Sequence, residues 1–146
     1  MGRILLDWVE QTDWMPRIHP RESYAEFAAM LCEVSEVTLA RETRGEPGGE
    51  PGRVLGFIAR QDEDVQALYV AGFARRRGVG KALLEQAKAC CARLGLWTFQ
   101  ANTGARRFYR REGFREDRRT DGAGNDEKLP DVHLAWERAW ERADHG

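Results

Sequence analysis

The sequence predicts an α/β fold, a mixed central sheet flanked by helices, built as one domain over residues 1–146. Three observations predict it. Val65 to Ala71 is a mostly apolar, strand-like run that stops at Gly72, and helical periodicity begins near Gly78. The same order of strand then helix recurs at Leu96 to Ala101 and Gly104 to Arg111. Finally, 146 residues suffice for one hydrophobic core and are too few for two ordinary domains.

Each element has its own signal. Ile4, Leu5, Trp8 and Val9 recur at helical spacing and predict a short amphipathic helix that ends before Trp14-Met15-Pro16. A second helix follows His19-Pro20, with Tyr24, Phe27, Ala28 and Leu31 as its apolar face. Pro20 suits its first turn, while Ser23 to Glu26 offers a rival capping box. Glu36 to Arg41 and Arg53 to Arg60 read as paired strands around Glu42 to Gly52, a polar stretch rich in glycine and proline.

Asp62-Glu63-Asp64 then turns the chain into the strand Val65 to Ala71. The helix Gly78 to Leu94 is expected to bury Val79, Leu83, Leu84, Ala87 and Cys91, with Gly95 placed to end it. Leu96 to Ala101 is a strand, Gly104 to Arg111 a helix, and another strand starts over Gly113 to Glu116. Arg119 to Pro130 is a polar loop. The last strand, Asp131 to Glu137, places His133 and Trp136 on alternating faces.

Composition excludes several classes of function. Lys plus Arg total 23 against 24 Asp plus Glu, so no global field draws nucleic acid or an anionic membrane. The arginine run from Arg106 to Arg119 reads as a solvated face, because the aromatic residues among it, Phe108, Tyr109 and Phe114, are wanted by the core. Apolar runs fall far short of the ~20 residues that cross a bilayer. In Met1 to Asp7, charge arrives before a signal-peptide core can develop, so a cytoplasmic location is expected. Cys32, Cys90 and Cys91 are odd in number and read as reduced, small apolar residues. With His19, His133 and His145 they show no metal-ligand spacing.

The most informative segment runs from Leu68 to Leu84. Gly78 and Gly80 let backbone amides approach an anion, a new helix offers its unpaired N–H groups, and Arg75, Arg76 and Arg77 add charge. This is a phosphate cradle. It is not a dinucleotide fingerprint, because Leu83 stands where a small residue is needed. Nor is it an NTPase loop, because Arg75 replaces the first glycine and Ala82 the Ser or Thr after Lys81.

The spacing Arg75-x-x-Gly78-x-Gly80, followed by an apolar helix, resembles the acetyl-CoA signature of the GNAT-type N-acetyltransferases. A second block resembles that family's later motif: the strand Leu96 to Ala101, then Asn102-x-x-Ala105-x-x-Phe108-Tyr109, then Gly113-Phe114. The resemblance spans about residues 4 to 137 and implies the GNAT fold, with one departure. The strand that ordinarily precedes the first helix is missing or vestigial here. Dimerisation is one way to cover the sheet edge so exposed, which leaves a homodimer open.

For the site, the resemblance implies acetyl-CoA as acyl donor. Arg75, Arg76, Arg77, Gly78, Val79, Gly80 and Lys81 would hold its pyrophosphate, and main-chain groups of Leu68, Tyr69 and Val70 its pantetheine. Asn102 would either bond the pantetheine amide or cap a helix. Tyr109 is the expected general acid, since a phenol of pKa about 10 can protonate a departing thiolate.

Trp14, His19 and Glu127 are expected near the acceptor, which is read as the primary amine of a small molecule attacking directly in a ternary complex. Cys90 and Cys91 fall too late in their helix to serve as a covalent nucleophile. Peptide or protein acetylation is the alternative acceptor chemistry. A catalytically silent acyl-CoA-binding domain is the alternative outside enzymology, and the general base is not readable.

Overall fold

A computed structural model describes residues 3–5, 12, 21–42 and 53–145. Helix α1 is Arg21–Val34, followed by strands β1 (Glu36–Arg41), β2 (Val54–Gln61) and β3 (Asp64–Val70). A 3-10 turn (Gly72–Ala74) leads to α2 (Val79–Cys90), β4 (Arg93–Phe99), α3 (Thr103–Arg111), β5 (Arg115–Thr120), β6 (Asp131–Glu137) and α4 (Arg138–His145). The strands form one mixed sheet in the order β1-β2-β3-β4-β6-β5, with β3 and β4 parallel and the β1–β2, β4–β6 and β5–β6 pairs antiparallel. Among the described residues no strand precedes α1, and residues 3–5 are helical with Ile4 and Leu5 buried.

The chain forms two compact units. One comprises Met1–Gln61 with Gln66–Glu85, the other Asp62–Val65 with Gln86–Gly146. In the first, β1 and β2 run in register from Glu36↔Arg60 to Arg41↔Val54. Ion pairs close both ends of this hairpin, Arg60 to Glu36 at 2.6 Å and Arg53 to Glu42 at 2.7 Å. Helix α1 buries Ala28 and Leu31 but leaves Phe27 41% exposed, so its core face is narrower than the sequence suggests. It starts at Arg21, which puts Ser23 inside the helix rather than at its cap. At its end, the Gln61 side-chain amide donates to the Val34 carbonyl, replacing one of the bonds a helix terminus loses.

In the second unit, β4 and β6 pair along their whole length, Arg93↔Glu137 through Phe99↔Asp131. Leu94, Leu96, Val132, Leu134 and Trp136 are all buried, the alternation expected of strands with one face on a core. The expected helix to Leu94 is cut short. The Cys91 amide makes the last helical bond, to Ala87, and Arg138 accounts for the stop: its guanidinium donates to the carbonyls of Lys88 and Cys91, both at 3.0 Å. Gly95 therefore lies in β4 and does not terminate a helix. Helix α4 has no counterpart in the sequence reading. It is anchored by Glu141, which accepts from the Trp136 indole at 3.0 Å and pairs with Lys88 at 3.2 Å.

Candidate functional site

Within the first unit, the cradle is built by the end of β3. The amide of Ala71 donates to Leu55 O at 2.7 Å, which carries the strand pairing to its limit, and the 3-10 turn follows. Arg76 and Gly78 then adopt left-handed conformations, φ 66° and 78°, a local cost that a plain connection would avoid. Gly78 O accepts the first helical bond, from Ala82 N at 3.0 Å. The amides of Val79, Gly80 and Lys81 thus have no carbonyl within the helix to bond.

Arg75, Arg76, Arg77 and Lys81 flank this terminus along the chain, all exposed. None makes an ion pair with an acidic residue among the described residues. Helix α2 holds its position through Val79, Leu83 and Leu84, which are buried as expected. Gly56 matters on the strand side: a Cβ there would lie 2.7 Å from Tyr69 O, so only glycine permits β2 to lie this close to β3. Leu68, Tyr69 and Val70 are each half-buried on that strand.

The second unit contains the later motif. Asn102 caps α3, its side-chain oxygen accepting from Ala105 N at 3.1 Å. Of the two roles open to it, capping is therefore the one seen, and the same oxygen is spoken for. Tyr109 is buried between Phe108 and Phe114, with ring centroids 5.1 and 5.4 Å away. Below it, Arg106 pins α3 to β5: it donates to both carboxylate oxygens of Glu116, at 2.7 and 3.3 Å, and to Gln100 O at 3.0 Å. These hydrogen bonds from Arg106, joined by those of Arg110 and Arg119, lower the Glu116 carboxyl to about 2.

Trp14 and His19 lie outside the described residues. Glu127 is half-buried in the segment joining β5 and β6. That segment is organised by Asn125, which donates to Leu129 O and Asp131 Oδ2, and by Lys128, which donates to Ala123 O. Sequence reasoning missed a pair on the other side of this hairpin, His133 and Asp117, 2.7 Å apart. The alternation of His133 against Trp136 placed the histidine off the core face, but nothing in the chain order pointed to its partner.

Residues 35–116 match the Acetyltransferase (GNAT) domain family. The peptidyl-lysine N-acetyltransferase YiaC of Escherichia coli K12 is 32% identical over 137 residues, covering 91% of this chain and 88% of that protein. Among solved structures, apo-form YjaB from Escherichia coli superposes with a TM-score of 0.69 at 22% identity, over 93% of this chain and 88% of its own. The yncA protein of Salmonella typhimurium with its cofactor acetyl-CoA gives 0.64 at 18% identity, over 94% and 86%.

Proposed function

This chain belongs to the GNAT acetyltransferase family, and from that premise we propose how its residues divide the work of acetyl transfer. As a family member it is an N-acetyltransferase with acetyl-CoA as acyl donor. Arg75, Arg76, Arg77 and Lys81, with the amides from Gly78 to Lys81, hold the donor's pyrophosphate. The observation that carries this is the cluster of four exposed cations, with no acidic partner among the described residues, at a helix N-terminus.

Main-chain groups of Leu68, Tyr69 and Val70 bind the pantetheine as an added strand would. Asn102 can contribute through its side-chain amide, since its oxygen already caps α3. Tyr109 protonates the departing thiolate, its ring held by contacts with Phe108 and Phe114. Attack is direct. Cys90 closes α2 at the end opposite the cradle, which argues against a covalent acetyl-enzyme.

The acceptor is a primary amine, and the resemblance to YiaC favours the side chain of a lysine within a peptide. The small-molecule amine expected from the sequence is the competing arm of the same experiment. Thiol release from acetyl-CoA is measured with lysine peptides, peptide N-termini, polyamines and aminoglycosides. Turnover fastest on lysine peptides supports the reading, and preference for a free small amine replaces that acceptor. Tyr109→Phe should lower kcat by about 10- to 100-fold with donor affinity within twofold. An undiminished rate removes Tyr109 as the acid, and donor binding without turnover on any amine points to a silent domain.

A further inference from the structure

Helix α1 carries an apolar stripe that neither the core nor the roles above use. Phe27, Met30 and Val34 are 41%, 44% and 52% exposed, whereas Ala28 and Leu31 of the same helix are buried. At about 100° per residue, positions 27, 30 and 34 fall within about 60° of one another and roughly a quarter-turn from the buried pair. They make one continuous flank, about 10 Å long, where scattered exposure would mean nothing. By the same spacing Glu26 and Glu33 border that flank on the side opposite the core. Both are exposed, and neither forms an ion pair among the described residues.

Glu33 is also set against the helix's own field. It stands in the last turn of α1, which holds no basic residue, so a carboxylate sits at the negative end of the dipole. Arg60 and Arg53 on the neighbouring hairpin are committed to Glu36 and Glu42. Positive charge arriving from another molecule would relieve this helix end.

We infer that this flank of α1 docks a basic amphipathic helix of another protein. The inference stands independently of the acetyltransferase reading. Apolar side chains at i, i+3 and i+7 fit the matching stripe of a partner helix, and the two carboxylates beside them select lysine or arginine at its border. The same charges argue against other occupants. Two copies of this chain packed on the stripe would bring Glu26 and Glu33 of one close to those of the other, and an anionic bilayer would be repelled by both. Three half-exposed side chains also fall well short of the about 800 Å² per partner that a stable dimer buries, and suit a short segment.

The test is fluorescence polarisation of a labelled peptide of about four helical turns, with leucine and lysine at helical spacing. Its controls are the same peptide with glutamate for lysine, and the same composition in scrambled order. The full chain should bind the leucine–lysine peptide about tenfold or more tightly than either control, with the difference shrinking as salt is raised. The double variant Phe27→Ser, Met30→Ser should lose about tenfold or more in that affinity. The double variant Glu26→Lys, Glu33→Lys should switch the preference to the leucine–glutamate peptide. Thermal unfolding checks that both variants fold. Equal binding of the lysine and glutamate peptides, binding of neither, or an unchanged affinity in the folded serine variant overturns the inference. So does a concentration-dependent dimer in sedimentation that the serine substitutions abolish, which would give the flank to a second copy.

Discussion

Glu116 shows how a single residue can hold a motif in place. Its carboxylate collects Arg106, Arg110 and Arg119 at 2.7, 2.7 and 3.2 Å, so one side chain on β5 fixes the helix that presents Tyr109. Because its folded pKa, about 2, is below the ordinary 4.5, its contribution is complete above about pH 4.5 and is lost as pH falls toward 2. Solvent screening reduces the value of such a network, and Glu116→Gln should cost about 1–2 kcal/mol at pH 7. Chemical denaturation at pH 7 and pH 3 should show the gap between the two proteins narrowing at the lower pH. An equal gap at both would mean the carboxylate's charge is not what stabilises α3.

Elements explain what the sequence made legible and what it hid. The cradle is contiguous, so strand, turn and helix could be read from Leu68 to Leu84 in chain order, and the hairpin of β1 and β2 from two strand-like runs around a glycine-rich stretch. Helix ends were harder. Arg93 and Leu94 continue a helical pattern that Gly95 is placed to end, but pairing with β6 and the Arg138 guanidinium on the last carbonyls decide for a strand. Neither effect is local. The pairing of His133 with Asp117 was hidden for the same reason, since it depends on an irregular register between β5 and β6.

Asn102 was open to two roles on sequence, and its cap geometry now makes one of them measurable. Asn102→Ala removes the acceptor for Ala105 N and should lower stability by about 1 kcal/mol, whereas Asn102→Asp should keep it. Urea unfolding of both variants checks this. Equal losses in the two would assign the residue a role other than capping.

At the scale of the molecule, donor recognition has to be local. Net charge is −1, so no global field draws an anion, and in the proposed reading the concentrated positive charge of residues 75–81 supplies the donor's place. The cradle belongs to the first unit, and Asn102 and Tyr109 belong to the second.

The most direct test of the cradle is calorimetric titration of acetyl-CoA into the unsubstituted protein and Gly78→Asp. A side chain at Gly78 meets nothing within 4 Å, so this variant can fold, at a strain cost on the order of 1 kcal/mol for its positive φ. It places a carboxylate where the pyrophosphate should bind. Gly78→Asp should bind acetyl-CoA at least tenfold more weakly, and an affinity equal to that of the unsubstituted protein would mean the pyrophosphate is held elsewhere.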